Sequence, residues 1–447
     1  MNDPRRQLRK LLAQAALAQL AFACCAVRHQ FFWGGEWAEW LHALEALGLV
    51  CGAALGALAC ARIARIAPQL DEKTLLLGGI LLAAIATLAP PFLSNDIWDY
   101  VARGRVEALG HNPYVTTVDT LAGDPAMRPF ADRANWTDWA MPYGPVSALL
   151  QQMCAMADSP WAGAYLWKAL AAAAHLAAGA ALAATSRAVA DAAAGRRMLA
   201  LWLWNPWTLL ECCGSGHNDV IAVLGLAMAS LFAARLRFAP AAIAYGAGML
   251  AKHCCPAFAP LLLISAWRSG RLAAFALGTS AVAAALAIAY FRWWDIDGGL
   301  DWIANQAGVA RGSLPSFVGA ALGPTAGSVV MVAGLALAAS VLLLAMRRVR
   351  DARSLGGYAT VATILLVLLA MPNFAPWYCL WWLPFGALAQ HKAIERALQA
   401  LALLGPASYA IAVGTREFGP AHEAWAWITA ALIPAAIVLQ KRRDLLA

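Results

Sequence analysis

The residue types best suited to chemistry are concentrated in one polar segment, residues 94–114, which reads SNDIWDYVARGRVEALGHNPY. It follows the apolar run 74–93, which is long enough to cross a membrane. At about 100° per residue, one face of a helix here would carry Asp96, Tyr100, Arg103 and Glu107. A glycine and an Asn-Pro turn at 110–113 would end that helix. We therefore predict an interfacial helix, not a spanning one, with its charged face turned into a cavity at the membrane surface.

Asp96 is the candidate general base of this segment. A positioned carboxylate can take the proton of a hydroxyl group as that group attacks carbon, which contributes about 10²–10⁴-fold to the rate. The competing interpretation is that Asp96 caps the helix, since aspartate is a preferred N-cap residue. Ser94 and Asn95 could each cap the helix instead, which favours the catalytic interpretation. Against it, a helix N-terminus stabilises the charged carboxylate and weakens it as a base.

Lys252 is the first candidate for binding an anionic group. It lies between two apolar stretches with only His253 as polar company. Burying an unpaired lysine in a membrane costs about 2.5–3.5 kcal/mol, so we expect an anionic partner. Snorkelling of the ammonium group to the outer surface is the alternative.

Arg105 is the second candidate cation. It follows Asp96 by nine residues, which is about 180° round an ideal helix. Both side chains can therefore face one ligand only if the helix breaks at Gly104. Otherwise Arg103 lies beside Asp96, and Arg105 anchors the loop or lipid headgroups.

The tripeptide His217, Asn218 and Asp219 is predicted at the tip of a helical hairpin. There it could hydrogen-bond the hydroxyl groups of a ligand or bind a divalent cation, although three such residues are too few ligands to define a metal site. Asp219 could instead cap the following helix. Trp377 and Tyr378 suit either a membrane-interface belt or a stacking platform for a ligand.

The composition is that of an integral membrane protein. Of the 447 residues, 62% are hydrophobic and only 13% are charged, whereas roughly a quarter of a soluble chain is charged. The net charge of +8 could suggest a nucleic-acid partner, but the basic residues form short clusters between apolar runs. That distribution is typical of cytoplasmic loops, so we expect membrane lipids and no nucleic acid as partners.

The basic clusters also set a topology. They place the N-terminus in the cytoplasm and predict about 13–14 transmembrane helices, with residues 94–142 as the first large extracytoplasmic loop. All the candidate residues then fall at the extracytoplasmic end of the spans. The fold class predicted is an all-α polytopic membrane protein that forms one domain over residues 1–447, with interfacial helices and the catalytic segment in loop 94–142.

Four stretches carry a resemblance to a known class of enzymes. They are the pattern D-x-x-x-Y-x-x-x-G-R-x-x-x-x-G-x-N-P-Y that starts at Asp96, the Tyr-Gly-Pro at 143–145, Asn-Pro at 205–206 with His-Asn-Asp at 217–219, and Pro-Trp-Tyr at 376–378. In this order they resemble the bacterial GT-C glycosyltransferases that use lipid-phosphate sugars, mannosyltransferases among them. The sequence departs from that pattern at Asp99 and Arg103, since the family often has a basic and then an acidic residue there. An i,i+4 pair survives the exchange, which favours a structural role for both.

The resemblance implies a glycosyltransferase of the bacterial inner (plasma) membrane with an extracytoplasmic active site. It would move a single sugar, a mannose-like hexose, with inversion from a polyprenyl-phosphate donor to a glycan, lipid or protein acceptor. Asp96 would be the base. No cofactor is assigned, although a divalent cation would fit, and no metal ligands are predicted. The substrate-binding residues would be Tyr100, Arg103, Arg105, Asn112, Tyr143, His217, Asn218, Asp219, Lys252, Trp377 and Tyr378.

Two other functions stay open at this point. A transporter or flippase for lipid-linked sugars would show inverted repeats and a midplane site, and neither is visible in the sequence. A surface-polysaccharide polymerase or ligase would share the lipid donor. The intramembrane polar residues Glu45, His175 and Glu211 are isolated in the sequence, which favours hydrogen-bonded structural roles.

The cysteines give no sign of a metal site. Six of the ten cysteines form three vicinal pairs, but there is no Cys-x-x-Cys motif, and no nucleotide-binding glycine pattern occurs either. A disulfide between the pairs at 212–213 and 254–255 is a remaining option, because both pairs are expected near the outer ends of their spans.

Overall fold

A computed structural model describes residues 4–32, 40–293, 311–415 and 419–446. These residues are helical almost throughout and form no β-strand. Their one strand-like contact is an isolated bridge between Arg311 and Asn373. The predicted all-α fold is therefore confirmed for the described part of the chain.

The helices that precede the gap at 294–310 alternate long apolar segments with short connecting ones. They are α1 (Pro4–Phe32), α2 (Trp40–Ile66), α3 (Glu72–Leu88), α4 (Asp96–Ala108), α5 (Arg128–Ala131), α6 (Pro145–Ala155), α7 (Pro160–Val189), α8 (Ala192–Leu203), α9 (Pro206–Leu209), α10 (Asp219–Ala234), α11 (Phe238–Ala251), α12 (Phe258–Arg268) and α13 (Leu272–Arg292). A π-helical turn, Leu210–Gly214, continues α9.

The helices after the gap follow the same scheme. They are α14 (Leu314–Leu322), α15 (Pro324–Arg348), α16 (Ala352–Leu365), α17 (Leu383–Ala389), α18 (Lys392–Ala407), α19 (Ala410–Thr415), α20 (Pro420–Ala426), α21 (Ile433–Leu439) and α22 (Arg442–Leu446). A 3₁₀ segment, Pro376–Leu380, precedes α17.

Fewer helices are long enough to cross a membrane than the 13–14 predicted. Eight described stretches have the length and apolar composition of a span, and a bent pair, Pro206–Gly214 with Asp219–Ala234, would make nine. The difference comes from predicted spans that form short helices, such as α8 with 12 residues and α12 with 11. At about 1.5 Å per residue these cover less than the roughly 30 Å of a hydrocarbon core.

Helix α4 is short, lies among other helices and is not one of the stretches long and apolar enough to span a membrane. It has 13 residues, and ten of them are buried. Its Gly104 packs directly on α6, because a Cβ atom there would lie 2.2 Å from the carbonyl oxygen of Gln151. Only glycine permits that approach, so Gly104 fixes α4 against α6. The helix does not break there, since α4 runs from Asp96 to Ala108.

The bent pair is the element that brings the two halves of the chain together. Its helices meet at an angle of 119° across residues 215–218. The first helix packs on α18, where a Cβ atom at Gly405 would lie 2.2 Å from the Trp207 ring. Asn205 donates a hydrogen bond to the carbonyl of Leu398 over 3.0 Å. The C-terminal half of the chain thus holds the first helix of the bent pair.

The disulfide considered between the cysteine pairs at 212–213 and 254–255 is not formed. All ten cysteines are free thiols, and both pairs at 212–213 and 254–255 are buried. They act as small packing residues inside the helix bundle.

Candidate active site

Asp96 begins the helix that carries it, but it does not cap that helix. The N-cap position is Asn95, which makes no capping hydrogen bond with its side chain. Ser94 satisfies a backbone donor at this end of the helix, because its Oγ accepts a hydrogen bond from the Asp96 backbone amide over 3.2 Å. The Asp96 side chain remains 26% exposed. Its carboxylate is therefore available for contacts outside its own helix.

The Asp96 carboxylate is held on its Oδ2 atom. The His217 Nδ1 lies 3.6 Å from Oδ2, and the Tyr100 hydroxyl donates to the same oxygen over 3.4 Å. Tyr100 is one helical turn further along α4 and is buried. These two contacts orient the Asp96 carboxylate.

His217 lies in the bend between α9 with its π turn and α10. The backbone there is fixed by Gly216, which has a φ of +70° and whose carbonyl accepts from Trp167 Nε1 over 2.6 Å. A left-handed conformation of this kind suits glycine. One face of the imidazole stacks on Trp377, with the ring centroids 3.7 Å apart. His217 is therefore held by residues from three separate parts of the chain.

The neighbouring residues Asn218 and Asp219 bind Lys252. The Lys252 Nζ donates to Asp219 Oδ2 over 2.7 Å and to Asn218 Oδ1 over 3.2 Å. The other oxygen of Asp219 accepts from Trp381 Nε1 over 2.7 Å. Asp219 is fully buried, whereas Lys252 is 14% exposed. The anionic partner expected for Lys252 is thus a residue of the chain itself.

Aromatic rings enclose the Lys252 ammonium group. The Nζ atom lies 5.2 Å from the Tyr378 ring centroid, 5.7 Å from that of Tyr143 and 5.9 Å from that of Trp381. Such rings attract a cation through their negative faces. Gly144 makes this arrangement possible, because a Cβ atom there would lie 2.1 Å from the carbonyl oxygen of Leu250.

The surroundings of Asp96 favour its charged form. Burial alone would raise its pKa, but the interaction with His217 and the charges of His217 and Lys252 outweigh burial and lower the pKa below 3.8. The Asp96 side chain is therefore ionised at neutral pH. The pKa of the nearby Asp99 moves the other way, because burial raises it by more than Arg103 lowers it.

Asp99 and Arg103 both hold the loop between α4 and α6. The Asp99 Oδ1 accepts the amide protons of Asn135 and Trp136 over 2.8 and 3.1 Å. Arg103 donates to the carbonyl of Trp136 over 3.0 Å. Both side chains are buried. Their contacts agree with the structural role predicted for this pair.

Arg105 and Asn112 lie apart from these residues. Arg105 donates to the carbonyls of Ala126 and Ala155 over 3.2 and 3.3 Å and pairs with Asp158 at 3.4 Å. These contacts tie the loop between α4 and α6 to the end of α6. Asn112 donates to the carbonyl of Trp293 over 2.9 Å and so ties its turn to the end of α13.

Glu211 is the residue near the site to which sequence analysis gave no role there. It lies in the π turn and is fully buried, and its Oε2 is 3.3 Å from His217 Nε2. Its sequence position six residues before His217 was the only signal. Among the described residues, no group of three or more His, Cys, Asp or Glu side chains could hold a metal ion.

Comparison with known proteins gives one match. Residues 11–269 match the MptA_B family, described as alpha-(1->6)-mannopyranosyltransferase, N-terminal domain. No curated protein and no solved structure matches the chain. The matched region covers more than half of the 447 residues and contains Asp96, His217 and Lys252. The chain therefore belongs to the MptA_B family of alpha-(1->6)-mannopyranosyltransferases.

Proposed function

We propose that the protein transfers a single mannose-like hexose from a polyprenyl-phosphate donor to a glycan acceptor on the extracytoplasmic side of the bacterial inner membrane. The observation that carries this proposal is the partly exposed, ionised Asp96 carboxylate next to a paired lysine in a buried polar cluster. A base and a cation at one site are the groups that sugar transfer from a phosphate requires.

Asp96 acts on the acceptor. An acceptor hydroxyl oxygen attacks the anomeric carbon, and its proton passes to the Asp96 carboxylate as the new carbon–oxygen bond forms. The contacts of His217 and Tyr100 with Oδ2 hold the carboxylate in place for this step. Its low pKa makes Asp96 a weak base in the resting site, but it also keeps the group unprotonated and ready to accept a proton.

Lys252 acts on the donor. The bond between the anomeric carbon and the phosphate oxygen breaks, and the lipid phosphate leaves with the bonding electron pair as a stable anion. Two of the three ammonium hydrogens of Lys252 serve Asp219 and Asn218, which leaves the third for a phosphate oxygen. A leaving group that is already anionic needs this positive charge and no general acid.

The family description supports the choice of sugar and linkage. An alpha-(1->6) linkage implies a primary hydroxyl of the acceptor hexose as the nucleophile. Because in-line displacement inverts the anomeric centre, an alpha product requires a beta-linked donor.

Two helices that flank the site, α11 and α12, have only 14 and 11 residues. Helices this short are consistent with a site at one face of the membrane that a lipid-borne donor enters laterally.

The sidedness of the site can be tested by thiol labelling. We expect cysteines placed at Thr116 and Asp132, in a background without native cysteines, to react with an impermeant thiol reagent in intact cells. The reason is that the arginine clusters assign loop 94–142 to the outside. A cysteine at Arg350, in an exposed basic cluster, serves as the control and should react only after permeabilisation. The reverse pattern would rule out an extracytoplasmic site.

The base can be tested with Asp96→Asn. Asparagine keeps the shape of the side chain but cannot accept a proton at neutral pH, so we expect turnover to fall by about 10²-fold or more while donor binding persists. The matched control is Asp132→Asn, which changes an exposed aspartate of the same loop and should leave turnover unchanged. Near-normal transfer by a well-expressed Asp96→Asn protein would refute the assignment.

The donor cation can be tested with Lys252→Ala. We expect a higher KM for the lipid donor, slower transfer and a nearly unchanged KM for the acceptor, with partial recovery in Lys252→Arg because the charge is kept. Since Lys252→Ala leaves Asp219 buried without its partner, the double variant Lys252→Ala/Asp219→Asn is the control that removes both charges. A native donor KM in this double variant would mean that Lys252 only neutralises Asp219.

A further inference from the structure

Glu211 is a buried carboxylate for which the proposed chemistry has no use. It lies in the π-helical turn that ends four residues before Asn218, and its side chain is fully buried. Turns of this type inside helices are frequent at functional sites. A buried carboxylate costs several kcal/mol unless donors surround it, so its neighbours indicate what it does.

The two oxygens of Glu211 have different neighbours. Oε1 accepts a hydrogen bond from Trp207 Nε1 over 3.1 Å and one from the Tyr409 hydroxyl over 2.9 Å. Oε2 has no full hydrogen bond, but it lies 3.3 Å from His217 Nε2. Oε1 thus accepts two hydrogen bonds, and Oε2 is left facing a ring nitrogen of His217.

His217 connects Glu211 to Asp96. One ring nitrogen lies 3.3 Å from Glu211 Oε2 and the other 3.6 Å from Asp96 Oδ2. Neither nitrogen has a hydrogen-bond partner among the described residues, so both contacts are those of an ion pair. An imidazolium donates from both ring nitrogens, so a charged His217 satisfies both carboxylates at once.

We propose that Glu211 is a positioning residue, which acts through His217 to hold Asp96 in the orientation and charge state needed for proton uptake. The proposal rests on the proposed function, since it assigns Asp96 the role of base. Trp207 and Tyr409 fix the Glu211 carboxylate, the carboxylate fixes the imidazolium, and Nδ1–H of the imidazolium fixes Asp96 Oδ2. The stacked Trp377 ring excludes water from one side of the imidazole and supports its charge.

Other charged and titratable groups also face these residues. Asp96 is surrounded by Tyr100, Asp99, Tyr143, Lys252 and Tyr378. Glu211 faces the thiols of Cys212 and Cys379 besides Tyr409. Of these groups, Lys252 is the cation that remains beside Asp96 if His217 loses its charge.

The test is the pH dependence of kcat/KM in Glu211→Gln. Glutamine removes the negative charge, so the buried imidazolium loses its partner and becomes neutral. Asp96 then loses the nearer positive charge, its pKa rises, and the acidic limb of the profile moves to higher pH by about one unit or more, the usual size of such an effect. We expect the donor KM to stay native, because Lys252 is untouched.

A second substitution shows whether Glu211 acts through His217. We expect His217→Gln to move the acidic limb in the same direction, and Glu211→Gln added to it to move the limb no further. Tyr409→Phe is the matched control, since it removes one donor to Glu211 but keeps the charge, and it should leave the limb in place.

Each outcome has one meaning. A native acidic limb in Glu211→Gln, or a shift that adds to that of His217→Gln, would overturn the role of Glu211. If Glu211→Gln does not fold, an unshifted limb in His217→Gln alone overturns it. These results are independent of Asp96→Asn, whose normal turnover would refute the proposed base whatever the profiles show.

Discussion

A charge buried in an apolar helix bundle needs a partner of opposite sign, and the ion pair between Lys252 and Asp219 is the pair on which the site depends. Breaking such a pair by removing one member costs about 3–5 kcal/mol. Because Asp219 begins α10 and Lys252 follows α11, the pair fixes how these two helices meet. The aromatic residues of the C-terminal half, Tyr378 and Trp381, then complete the enclosure.

The cost of burying a polar or charged group without a partner also explains why helices too short for a span collect at the site. Short helices leave peptide groups and polar side chains at membrane depth, and these are tolerated only where protein surrounds them. Close backbone contacts at Gly104, Gly144 and Gly405 provide that surrounding, since a Cβ atom at any of them would lie within about 2.2 Å of a neighbouring atom. Asp96 begins α4 within this packing, and its side chain remains 26% exposed.

Much of the architecture could be predicted from the sequence. The all-α polytopic fold and the family resemblance are confirmed, because apolar composition and spaced motifs are local properties of the chain. The need of Lys252 for an anionic partner also followed from local patterns, whereas the interfacial position of α4 stays a prediction. The number of spans did not, because an apolar run of 11–14 residues looks the same in a spanning helix and in a short buried one. The place of Glu211 at the site could not be predicted for another reason. Its partner Tyr409 is 198 residues away in the sequence. The roles of the individual site residues remain predictions.

The proposed function depends most directly on the identity of the donor. The most direct measurement gives the purified protein, reconstituted in liposomes, radiolabelled mannose either on polyprenyl phosphate or on a nucleotide, with a mannose-terminated oligosaccharide as acceptor. We expect the label to enter the oligosaccharide in alpha-(1->6) linkage from the lipid donor alone. Transfer of equal extent from the nucleotide donor would contradict it.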